Sequence, residues 1–131
     1  MVMEQLENVH KQPIIDTLST KEFLDRYDAF RLTVMPLEKK LRQAEINDSL
    51  YKDEVTDLAR EMFGIESSTN GRPISDVKFK KFLNIRSRFE RAYYQEYDIG
   101  AEEFFSDVKI LLKSTFGNLP SKHGDLALEL D

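Results

Sequence analysis

Two histidines, His10 and His123, are the only imidazoles in this 131-residue chain. Glu7-Asn-Val-His10 has the Glu-x-x-His spacing, which sets a carboxylate and an imidazole on one side of a helix. Carboxylate-bridged di-metal bundles use two such motifs together with two further carboxylates from other helices. One motif is present, so no metal centre is expected. There are no cysteines, which excludes thiol nucleophiles, thiolate metal sites and disulfides. Ser, His and Asp all occur, yet no GxSxG elbow sets a serine for attack. Neither GxGxxG nor GxxxxGK[ST] is present to cradle a phosphate. With 24 acidic residues, carboxylate pairs arise anywhere and single out no acid–base site. The expectation is a non-catalytic protein with no catalytic residue and no cofactor.

The segment with the most pronounced chemistry is 78–97, KFKKFLNIRSRFERAYYQEY, which is basic and aromatic. Between Arg72 and Arg91 there are seven bases and two acids, a local charge of +5. The chain carries −5 in total, which leaves −10 for the remainder. At 100° per residue, Phe79, Phe82, Ile85, Phe89, Ala92, Tyr93 and Tyr97 share one arc. Lys80, Lys81, Arg88 and Arg91 gather on another, and Arg86 falls nearer the apolar side. The candidate contacts for a partner are Lys80, Lys81, Arg88 and Arg91, with Lys78 at the helix start and Arg72 in the preceding loop. Tyr94 is added as the ring expected to be exposed.

Three readings fit this arrangement: a face for an acidic protein, a phosphate-binding stripe, and a solvated face pairing with acids such as Glu54, Asp57 and Glu61. A single-strand platform needs rings and bases in one groove, and here most of the rings point elsewhere. Duplex recognition through a helix–turn–helix is disfavoured because LYKDEVTDLAREMF, the helix after a tight join, is acidic.

These side chains need helices to position them. Phe23, Tyr27, Phe30, Val34, Leu37, Leu41 and Ala44 recur at steps of four and three, the signature of one helical stripe. Ser19-Thr-Lys-Glu22 has the form of a capping box. The expected helix runs over 20–46 and is kinked near Pro36, since proline removes one backbone bond. Asn47-Asp-Ser caps a further helix with Leu50, Tyr51, Val55, Leu58, Ala59, Met62 and Phe63 on its stripe. Gly64 reads as its left-handed terminator, with Ile65 packing back. The connection 66–73 is polar and the longest internal loop, and 67–72 is its mobile, contact-making part. Ser75-Asp76 caps the basic helix, which is expected to reach about residue 98. The last helix spans 101–116, turning Phe104, Phe105, Val108, Leu111 and Leu112 inward, with Glu102 and Glu103 in its first turn.

The first dozen residues fit a short amphipathic helix stopped by Pro13. The tail from 118 to 131 ends in DLALELD, an acidic and apolar segment suited to docking on a basic surface.

The expected class is all-α: a single-domain bundle of four to five helices over 1–117, with a partly flexible tail over 118–131. The N-terminal stretch has acids where a signal peptide needs bases, and no apolar run is long enough to span a bilayer. A cytoplasmic protein with no membrane partner is therefore expected. Its expected role is to bind another macromolecule, a protein first, as an adaptor, inhibitor or regulatory subunit. The alternatives are a nucleic-acid-binding accessory protein and a homodimeric subunit sealed along the stripe that begins at Phe23.

Overall fold

Ser19 opens the first long helix in the computed structural model, which describes residues 14–66, 73–96 and 98–117. Its hydroxyl accepts from the Glu22 amide at 3.1 Å, and the Glu22 carboxylate accepts from the Ser19 amide at 2.8 Å. Each side chain thus satisfies one orphan donor of the first turn. Four α-helices follow: α1 (Thr20–Arg42), α2 (Asp48–Phe63), α3 (Asp76–Glu90) and α4 (Ala101–Phe116). No strand occurs among the described residues, so the protein is all-α. The chain divides into two compact units, Met1–Ile65 and Glu66–Asp131, each built on one helix pair. The expected N-terminal helix, the loop 67–72 and the tail 118–131 lie outside the described residues.

In the first unit, α1 runs unbroken through Pro36. Proline offers no N–H to the Leu32 carbonyl. Leu32 and Pro36 are both exposed, so water can take up that acceptor. Phe23, Tyr27, Phe30 and Val34 are fully buried. Their rings meet Phe63 from α2 at centroid distances of 5.4 Å for Phe23, 6.3 Å for Tyr27 and 5.7 Å for Phe30. This four-ring cluster joins the two helices. The Arg26 guanidinium reaches across to donate to the Met62 carbonyl at 2.7 Å, satisfying an acceptor that the last turn of α2 leaves open.

The stripe ends sooner than its period suggests. Ala44 is exposed and adopts φ 60°, and α1 stops at Arg42, not at 46. The Glu45 amide donates to the Lys40 carbonyl at 2.8 Å, and the Ala44 amide to the Leu41 carbonyl at 3.1 Å. Those two bonds are the Schellman pattern, with alanine in the left-handed position. An L-residue there costs roughly 1–2 kcal/mol, while glycine gives back about 0.4–1 kcal/mol through the unfolded chain. Ala44→Gly is therefore expected to stabilise the protein by about 0.5–1 kcal/mol, read as a raised urea midpoint at unchanged slope.

Asn47 caps α2, its side-chain oxygen accepting from the Leu50 amide at 2.8 Å. Tyr51, Val55, Ala59 and Phe63 are buried as the spacing requires. Leu50 is exposed, and Lys52 and Thr56 are buried in addition. Gly64 terminates α2 at φ 62°, and the Ile65 amide donates back to the Arg60 carbonyl at 3.0 Å. A Cβ on Gly64 would sit 2.7 Å from the Ile14 side chain and 2.9 Å from its backbone nitrogen. Gly64 thus lets the 3₁₀ turn Ile14–Asp16 close against the end of α2.

In the second unit, Phe82 of α3 meets Phe116 of α4 edge-on at 4.8 Å. Phe104, Val108, Leu111, Leu112 and Phe116 are buried, and Phe105 is half-buried. At the edge of the buried side of α4, Asp107 is half-buried and lies one turn after Glu103. Burial first, and the Glu103 carboxylate second, push the Asp107 carboxyl above its ordinary value. The folded state then binds a proton more readily than the unfolded chain. Stability is therefore lost as pH rises from about 3.9, the ordinary Asp value, through the raised one. Asp107→Asn is expected to raise stability at pH 7, with about 0.2–0.5 kcal/mol from the relieved i,i+4 repulsion alone. The gain should vanish in urea titrations run near pH 3.

Candidate partner-binding face

Ser75 sets the start and the rotation of α3. Its backbone is extended, and its hydroxyl accepts from the Lys78 amide at 3.2 Å. Phe79, Phe82 and Ile85 are buried and fix which side of α3 turns inward. Arg86 is buried with them. Its Nε donates to Glu90 Oε2 at 2.5 Å, a pair one turn apart with both side chains largely covered. Burying a guanidinium demands such a partner, so Arg86 serves the inner side and is not a contact residue.

The opposite side is basic. Lys80, Lys81, Arg88 and Arg91 are all exposed, in company with Val77, Asn84 and Ser87. At 100° per residue, Val77, Lys80, Lys81, Asn84, Ser87, Arg88 and Arg91 occupy one arc of about 120°. From Lys80 to Arg91 the arc extends about 17 Å along the axis. Asp76, in the first turn, is its nearest acid and marks its N-terminal edge. Val77 has 69% of its surface exposed, so the face offers one apolar anchor beside four cations.

Two of the expected contacts leave this face. Lys78 is half-buried and stands 160° around the helix from Lys80, on the inner side. Tyr94 is also half-buried, and the exposed ring expected there is engaged. It meets Phe104 edge-on at 5.6 Å and Tyr93 at 4.8 Å. Arg72 lies outside the described residues.

The reason for the Tyr94 placement is a backbone irregularity. The helix expected to continue to about 98 gives way at Arg91–Gln95 to a π turn. There the Glu96 amide donates to the Arg91 carbonyl at 2.9 Å, and the Asp98 amide to the Ala92 carbonyl at 3.0 Å. Widening the turn lowers the angle between successive side chains. Tyr93 and Tyr94, which an α-helix would splay by 100°, both reach Phe104. Tyr93 stacks on it at 4.5 Å with the planes 15° apart. Single-turn π bulges of this kind interrupt helices at defined points. Here the bulge retires two rings from solvent at the C-terminal end of the basic face.

Val77, Asn84 and Ser87 were not among the residues expected at this site. Their only sequence signal is their position on the same arc as Lys80. Among the described residues no group of three His, Asp or Glu side chains is arranged to hold a metal ion. Glu7, His10 and His123 lie outside them. No helix among the described residues is long and apolar enough to cross a membrane.

The outer face of α3 is therefore dominated by positive charge. It presents four exposed cations, Lys80, Lys81, Arg88 and Arg91, along one side of the helix. No family model, no curated relative and no solved structure matches this chain.

Proposed function

We propose that the protein acts by binding another protein, as an adaptor, inhibitor or regulatory subunit, and that it is not a catalyst. The contact surface is the outer face of α3, and the partner presents acidic side chains to it. The observation that carries this reading is the segregation of the helix. Lys80, Lys81, Arg88 and Arg91 are exposed together while Phe79 and Phe82 of the same helix are buried opposite them and Phe89 is half-buried. Val77 supplies an apolar contact at one end, of the kind that protein interfaces combine with a charged rim.

The rival is a nucleic acid held by its phosphates. The same four cations suit it, and the net charge of −5 weakens it. Single strands are disfavoured further because Tyr93 and Tyr94 are packed against Phe104, which leaves no ring among the described residues of the basic face for a base to stack on.

The test compares affinity capture by the native chain and by a variant carrying Lys80→Glu, Lys81→Glu, Arg88→Glu and Arg91→Glu, from extract treated with nuclease. All four sites are exposed, so the variant should keep the native circular dichroism. The expected result is a set of proteins retained by the native chain, resistant to nuclease and lost from the variant. Capture that disappears with nuclease favours the rival, and capture equal in both chains removes the face from the account.

A further inference from the structure

Phe23, Tyr27, Phe30 and Val34, the first part of the stripe, are buried in the core of their own unit. The opposite face of α1 has the properties of a seam between copies. Leu32 and Met35 keep 68% and 56% of their surface exposed, with Ala29 and Pro36 exposed beside them. Taking Leu32 as the zero of the helical wheel, Ala29, Met35 and Pro36 fall within 60° of it. Phe23, Phe30 and Val34 are centred about 180° away. An exposed apolar strip directly opposite the core is more than the scattered exposed leucine that any surface carries.

Charge is distributed along this strip in a definite order. Lys21, Asp25 and Asp28 precede it, Lys21 being paired with Asp25, and Lys39 and Lys40 follow it; Lys21, Asp25 and Lys39 are each within about 20° of the Leu32 direction. Asp25 stands seven residues before Leu32 and Lys39 seven after, about 10.5 Å on either side. The sequence of acid, apolar strip and base is complementary to itself when reversed. Laid antiparallel with Leu32 on a two-fold axis, a second copy sets Asp25 opposite the partner's Lys39, and Lys39 opposite the partner's Asp25. It also brings Ala29 beside the partner's Pro36. That is the isologous contact that a closed dimer requires. Asp25 already pairs with Lys21 at 2.9 Å, but both side chains are highly exposed. An exposed i,i+4 pair of that kind is weak enough to exchange.

We propose that this face of α1, centred on Leu32, is a self-association surface that joins two copies of the chain antiparallel. One helix face about 35 Å long is a small interface, which assigns the dimer to the weak, reversible class.

The test is sedimentation of the full chain from low micromolar to near-millimolar concentration, at low and high salt. The weight-average mass is expected to rise from 15.3 kDa toward twice that value, less so at high salt. Leu32→Asp is expected to hold the chain monomeric throughout with unchanged circular dichroism, since the site is already exposed. Asp25→Lys is expected to weaken association by roughly tenfold, and Asp25→Lys combined with Lys39→Asp to restore it. That rescue is specific to the antiparallel register. A native chain that stays monomeric over the whole range overturns the proposal, as does a dimer that survives Leu32→Asp. Association that the double exchange fails to restore overturns the register.

Discussion

Phe63→Ala is expected to lower stability by about 3–5 kcal/mol, the range for deleting a fully buried phenyl ring. Phe63 belongs in the upper part of that range because of where its partners come from. The ring is 0% exposed and is met by three rings of the facing helix, those of Phe23, Tyr27 and Phe30. Removing it forfeits contacts between helices, not within one. Ring pairs of this geometry add about 0.5–1.5 kcal/mol each beyond the area they bury. The three partners are held in a row on α1 and collapse poorly into the space left behind. Urea unfolding followed by circular dichroism is the measurement. Phe63→Leu, which keeps most of the apolar volume, should lose markedly less. Equal losses for the two variants would mean that the ring contacts add nothing.

Gly64→Ala, one residue further on, is expected to cost about 2–4 kcal/mol although it removes no contact. Two terms add. An alanine at φ 62° meets the left-handed penalty of roughly 1–2 kcal/mol, offset in part by the less flexible unfolded chain. Its Cβ then arrives 2.7 Å from the Ile14 side chain and 2.9 Å from the Ile14 backbone nitrogen. A backbone atom does not rotate aside, so the turn Ile14–Asp16 must move, and overpacking of this sort costs about 1–3 kcal/mol. Ala44 supplies the control. It occupies the same position in the same type of helix terminus, and there the change to glycine is expected to gain stability. Opposite signs at Ala44 and Gly64, with the larger magnitude at Gly64, are the combined outcome to look for in urea midpoints.

These two helix ends also mark what the sequence discloses and what it hides. Gly64 was legible as a terminator because glycine is the residue that tolerates positive φ. Ala44 was not, because an alanine at the end of an apolar stripe reads as one more core position. Side-chain caps were legible at Ser19, Asn47 and Ser75, where short polar oxygens precede apolar runs. The end of α4 at Phe116 was legible as well, ahead of a glycine. The π turn after Glu90 was hidden. It rests on a competition between backbone acceptors, and no residue type announces it. The only hint was two adjacent tyrosines that a regular helix sends in different directions. Tyr94 was misread for that reason. Burial of Lys52 and Thr56 was hidden too, because a lysine stem can lie along apolar surface whatever its head does. The exposure of Lys80, Lys81, Arg88 and Arg91 follows from their wheel angles, since all of them precede or begin the π turn. Lys78 was grouped with them by nearness in sequence, although its wheel angle sets it on the other side.

Lys80, Lys81, Arg88 and Arg91 are proposed as a face for an acidic protein surface. The most direct measurement is fluorescence anisotropy with three labelled probes: a peptide of interleaved acidic and apolar residues, a short DNA duplex and a short single strand. Each is titrated with salt against the native chain and the four-site Glu variant. The native chain is expected to bind the peptide, the variant to fail to bind it, and neither oligonucleotide to compete with the peptide at moderate salt. Duplex binding that outlasts peptide binding, is lost in the variant and has a log–log salt slope of roughly −3 to −4 would contradict the proposal. That slope corresponds to about four neutralised phosphates, and the face would then belong to a nucleic-acid-binding protein.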